Sequence, residues 1–185
     1  MVERLELAAV PFAAQGFDQT RIEDLAEATG IPKATLYYHF SGKEEILAWL
    51  LMRVLDAFAR SVRQAVEAPG SAAGRLAGVI EAELEVMAVH PIACRVLLSE
   101  LGRAGRIPAT AEAIIAAFHL PVRALLEEGR ADGSLPGATE PEAQASAIFG
   151  AVTLTGLHYL LADHCLDAAR VAPVVTAMVV GGLGD

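Results

Sequence analysis

The sequence predicts an all-α protein, on three observations. Apolar residues recur three and four positions apart along almost the whole chain, and no useful length alternates apolar with polar residues as a half-buried strand would. Serine, threonine, glycine and proline then cut the chain into helix-sized pieces. About nine helices follow, in two parts: a small N-terminal module over residues 1–47 and a larger helical domain over 48–185, connected by a long helix over 44–68. A chain of 185 residues is long enough for a core that needs no disulfides.

In the first helix Leu5, Ala8, Ala9 and Phe12 share one face, and the helix ends near Gly16 with a kink expected at Pro11, which has no N–H to donate. Thr20 and Glu23 read as a capping box for a second helix that turns Ile22, Leu25 and Ala26 inward and stops at Gly30. After the bend Gly-Ile-Pro, a third short helix over Lys33–Phe40 turns Leu36 and Phe40 inward. Ser41 and Glu44 form a second capping box. The fourth helix carries a broad stripe from Ile46 through Leu50, Val54 and Phe58 to Val62, ended by Pro69 and Gly70. Further helices are predicted over 72–89, 92–101, 108–128 with a kink at Pro121, 141–163 after a third capping box at Thr139 and Glu142, and 168–180. The stretch GRADGSLPGATEP reads as the one long turn-rich linker.

The net charge of −9 argues against non-specific binding of nucleic acid or an anionic membrane by the chain as a whole. Any such contact must be local. Cys94 and Cys165 have no C-x-x-C spacing, which suits a reduced, cytoplasmic protein, and MVERLELAAV mixes acids into what would have to be an apolar leader.

Two short helices joined by a glycine-containing turn fit a helix-turn-helix, and equally a plain helical hairpin. The composition of the second helix favours the former. Where the rest of the chain would place carboxylates, this helix shows Lys33, Thr35, Tyr38 and His39, all donors to phosphate or base edges, and Lys33 and Lys43 are the only lysines in the protein. The N-termini of the second and fourth helices add positions where a phosphate is favoured, at Thr20 and near Lys43.

Thr20, DLAEATGI, ATLYYHF and GKEEIL together resemble the helix-turn-helix of TetR-type transcriptional repressors. The resemblance covers roughly the first quarter of the chain. It implies that Thr20 and Arg21 touch the DNA backbone, that Lys33, Ala34, Thr35, Tyr37, Tyr38 and His39 face the groove or its rims, and that Lys43 holds a phosphate. Pro32 departs from the pattern, because the family places a serine there; a cap of about 1 kcal/mol is then missing. With no basic arm ahead of Leu5, DNA affinity should rest on few phosphate contacts and show a shallow salt slope.

In the larger domain, Ala143–Ala162 holds twenty residues without a charge. Its length permits a membrane span, but Gln144, Ser146, Thr153, Thr155 and His158 lie within it and acids rather than bases flank it. The better reading is a pair of helices, near 141–163 and 168–182, apolar all round because a second subunit covers one side, which the family resemblance also implies. A mostly apolar ligand space is expected among Phe58, Met87, His90, Cys94, Phe118, His119 and Tyr159, although each also fits an ordinary core. No catalytic motif is present, no cofactor is implied, and His158, His164 and Cys165 offer only one well-spaced helical pair, so no metal site is expected. The reading is a ligand-responsive regulator that binds a palindromic operator as a homodimer and is released by a small apolar effector. The alternative is a helical ligand-binding or membrane-associated protein without a DNA function.

Overall fold

A computed structural model describes residues 1–100, 112–163 and 165–184. The described residues form helices α1 (Val2–Glu6), α2 (Ala9–Gln19), α3 (Ile22–Thr29), α4 (Lys33–His39), α5 (Lys43–Val66), α6 (Ala72–Val89) and α7 (Pro91–Glu100). Helix α8 follows, described over 112–132 as a π turn at Ile115–His119 running into regular helix at Leu120–Asp132, and then α9 (Pro141–Ala162) and α10 (Ala168–Leu183). No strand occurs among the described residues, as the periodicity predicts. The start predicted at Pro108 and the predicted end at Leu101 lie outside them.

The chain divides into two compact units, one built from residues 1–54 and 92–100 and the other from 55–91 and 112–184 as described. In the first, Leu5, Ala8, Ala9 and Phe12 are all buried, together with Leu25, Leu36, Ile46, Leu47 and Leu50. The predicted kink at Pro11 is instead a break one turn earlier. Helix α1 stops at Glu6 and α2 restarts at Ala9, so Pro11 falls in the first turn of α2, where no N–H is needed.

All three predicted capping boxes are displaced. Thr20 closes α2 rather than opening α3: its hydroxyl donates to the Gly16 carbonyl at 2.7 Å, behind the left-handed Gly16. The reciprocal acid is Asp24, which accepts from the Arg21 N–H at 2.8 Å. Likewise Ser41 donates its N–H and hydroxyl to Glu45 rather than Glu44, and the Glu140 N–H goes to Gln144.

In the second unit α6 packs against α8, α9 and α10. The kink predicted at Pro121 appears as the π turn just before it, which relieves the clash of the proline ring with the preceding turn. The predicted linker is pinned down. Leu135 is fully buried against Gly129, with its N–H on the Gly129 carbonyl at 2.8 Å, and the Gly137 N–H reaches the Leu183 carbonyl at 2.8 Å.

Gly30 ends α3 at φ 61°, the left-handed region that only glycine enters without steric cost. Gly30→Ala should therefore lower stability by about 1 kcal/mol, read as a reduced urea midpoint at unchanged m-value.

Candidate nucleic-acid interface

Helices α3 and α4 are eight and seven residues long, and so most of their backbone groups lie near an end and lack helical partners. Side chains supply those partners. The buried Thr29 hydroxyl donates to the Leu25 carbonyl at 2.7 Å and accepts from the Ile31 N–H at 3.2 Å, tying the turn to α3. From α1, Arg4 donates Nε to the Thr29 carbonyl at 3.1 Å and Nη2 to the Gly30 carbonyl. Ile31 and Leu36 anchor the turn and α4 below, while Pro32 is the N-cap of α4 and provides no side-chain bond, as its chemistry predicts.

This anchoring leaves one face of α4 outward. Ala34 and His39 are exposed, Thr35 is half-buried, and Tyr37 and Tyr38 are 56% and 83% exposed. Tyr37 is therefore not a core residue. The Tyr38 and His39 rings meet edge to face at 4.9 Å, forming one aromatic ridge with hydrogen-bonding tips. Phe40 is only half-buried, as the C-cap of α4. Lys33 stands beside the ridge with its ammonium on Glu23 of α3 at 2.8 Å. That hydrogen bond holds the Glu23 carboxyl below its usual range and raises the Lys33 ammonium above its own.

Two residues of the expected set are placed differently. Thr20 is fully buried, with its N–H and hydroxyl both on the Gly16 carbonyl. Lys43 directs its ammonium to the carbonyls of Phe17, Asp18 and Thr20 at 2.8, 3.2 and 2.9 Å and lies over the Phe17 ring at 4.5 Å. Three N–H bonds meet three acceptors, so the side chain caps the C-terminus of α2. At the start of α3 the Arg21 N–H is taken by Asp24, itself held by Gln15 at 2.9 Å, while the Arg21 side chain is exposed. Sequence reading passed over Arg4, whose role depends on a turn 25 residues away.

The residues expected around a ligand fall in both units, six in the second and Cys94 in the first. In the second unit Met87 is buried on Gly156, and Phe118 is buried with its ring 5.0 Å from Phe149. His119, on the same π turn, points instead to Glu142 at 2.8 Å; that bond, followed by Arg123, holds the Glu142 carboxyl below its usual range. Phe58 and Tyr159 are half-buried, the latter with the Arg170 guanidinium 5.1 Å from its ring, and His90 is exposed at the end of α6. Cys94 belongs to the first unit, where burial pushes its thiol up to about 12. His164 lies outside the described residues, and no group of three metal-ligating side chains occurs among them.

Lys43→Met keeps the stem and removes the ammonium that the three carbonyls at the end of α2 accept from. Chemical denaturation should show a loss of about 1–2 kcal/mol.

Residues 5–50 match the model of the family described as "Bacterial regulatory proteins, tetR family". The repressor KstR2 of Mycobacterium tuberculosis is 38% identical over 88 residues, which is 48% of this chain and 44% of that protein, so the match spans less than half the length of that relative. KstR2 of Mycolicibacterium smegmatis is 26% identical over 98% of the chain and 89% of its own length. The solved structure of the ketosteroid transcriptional regulator KstR2 of Mycobacterium tuberculosis superposes with a TM-score of 0.85 at 26% identity, covering 100% of this chain and 94% of that one. The outward, acid-free α4 and the helix-turn-helix that carries it thus lie within the stretch, residues 5–50, that matches the tetR family of bacterial regulatory proteins.

Proposed function

We propose that the chain is a transcriptional repressor that binds a palindromic DNA operator as a homodimer in the cytoplasm and is released by a small, largely apolar effector. The observation that carries this reading is the face of α4: no carboxylate in a chain of net charge −9, and an aromatic ridge of Tyr38 and His39 held outward. Lys33, Ala34, Thr35, Tyr37, Tyr38 and His39 meet the major groove or its rims, and the Arg21 guanidinium meets a phosphate. Thr20 and Lys43 act from within, holding the end of α2 at which α3 begins.

The homodimer reading is supported by α9 and α10. Along α9 the residues Ala143, Ala147, Ala151, Leu154, His158 and Leu161 recur at helical spacing and are all exposed. On α10, Val174 and Met178 are 61% and 77% exposed. A nearly uncharged stripe of this kind, with alanines that permit close approach, fits a second copy of the chain across a twofold axis. By length and composition α9 is also apolar enough to span a membrane. The DNA-reading face on the same chain favours the dimer. The effector is taken to be apolar because relatives include a ketosteroid regulator and a fatty acid metabolism regulator of Bacillus subtilis.

Selection from random DNA with the purified protein should enrich one palindromic sequence, and a pool without enrichment would reject the operator. On that sequence Tyr38→Ala should relax base preference at one position in each half-site. Glu23→Gln, which leaves Lys33 without its carboxylate, should bind more tightly at low salt and steepen the log–log salt slope by about 0.9 for each added phosphate contact. Met178→Glu should sediment as a monomer and lose operator affinity by about 100-fold or more; a dimer that persists would move the interface elsewhere.

A further inference from the structure

Among the described residues Glu83 is the only buried acid or base, 4% exposed in the middle of α6. Its place on the helix is central to the inward face: Leu76, Val79, Ile80, Val86 and Met87, at seven, four and three residues before it and three and four after, are all buried. No hydrogen bond or ion pair reaches its carboxyl among the described residues, and burial pushes its ionisation well above the usual carboxylate range. Leaving a polar group so placed without a partner is costly, and an apolar residue of similar volume would serve the packing better. Such a group points to a partner outside the described residues.

The facing helix offers a second polar group. Met87, one turn beyond Glu83, lies on the backbone of Gly156 in α9, where a Cβ would come within 2.5 Å of its sulfur, and Thr153 is buried one turn before that glycine. An acid and a hydroxyl thus stand on the packed faces of α6 and α9, with a flexible thioether next to the acid.

We propose that Glu83 is the polar anchor for an effector held inside this unit, and that it selects a largely apolar molecule bearing one uncharged oxygen, a ketone or an alcohol. This rests on the reading of the chain as an effector-controlled regulator. In its neutral form the carboxyl donates to a carbonyl without placing a charge in the interior; a carboxylate ligand would bring an unpaired anion, and an amine would require two ions to be desolvated together.

Isothermal titration of the full dimeric protein with decan-2-one, decanoate and decylamine, which differ only in the polar head, tests this. The ketone should bind most tightly. Glu83→Leu should weaken the ketone about tenfold, whereas Glu83→Gln, whose amide still donates, should stay within about threefold of wild type. Circular dichroism confirms that each variant is folded. Amine above ketone in the wild type overturns the proposal, and does so even if the leucine variant fails to fold. Ketone binding that is indifferent to Glu83→Leu overturns the anchor and leaves the effector reading standing. No binding of any of the three overturns both.

Discussion

The ammonium of Lys43, received by the carbonyls of Phe17, Asp18 and Thr20, is the interaction on which the placement of α3 and α4 depends. Short helices have nearly all their backbone groups at an end, and Lys43 brings a charged donor to the last carbonyls of α2. By closing that end from the first residue of α5, Lys43 brackets α3 and α4 between two fixed points. Arg4 does the same for the turn inside the bracket, with its guanidinium on the carbonyls of Thr29 and Gly30. Two of the few cations in this unit are thus committed to backbone oxygens.

That commitment bears on how, in the proposed function, an acidic chain would meet DNA with so little positive charge. Lysine and arginine at the end of a helix are favoured by its dipole, and a phosphate would have to compete with carbonyls already in place. What is left outward on α4 is hydroxyl, imidazole and one lysine in an exposed ion pair, groups better suited to reading edges and shape than to neutralising a backbone. Association resting on such groups gains more from joining two heads than from strengthening one, which gives the exposed apolar stripe of α9 and α10 its place in the proposed function.

Helix periodicity made the architecture legible in the sequence, because a stripe such as Leu5, Ala8, Ala9 and Phe12 needs no knowledge of its partner. Cap register was not legible in the same way. Thr20 with Glu23 and Asp24 with the Arg21 N–H are both sound chemistry, and the left-handed Gly16, by offering its carbonyl to Thr20, decides between them. The site shows the same division. The exposure of Tyr38 and His39 follows from composition, since an acid-free outer face stands out in an acidic chain, whereas the inward turn of Thr20 and Lys43 depends on where α2 ends. Glu83 was within reach of the spacing argument, sitting among Leu76, Ile80 and Met87; two other acids, Glu81 and Glu85, flank it in the chain and give the segment the look of a solvated face.

Magnitudes assign different tasks to the interior of the second unit. A 100-fold release from an operator requires the effector to prefer the released state by about 2.7 kcal/mol. One neutral hydrogen bond contributes about 1 kcal/mol net, and only the part that differs between the two states counts toward release. A single polar contact therefore cannot drive the change. Burial of an apolar body does have that capacity, since two methylene groups more completely enclosed in one state than the other already amount to about 1.6 kcal/mol. Such burial is indifferent to chemistry, however, and apolar packing by itself accepts any hydrocarbon of suitable size. A lone acid buried among apolar side chains supplies what they lack, because a molecule that cannot satisfy it leaves the desolvation cost in place. On the proposed reading, the apolar side chains of α6, α8 and α9 would supply the energy of the switch, and Glu83 would decide which molecule is allowed to use it.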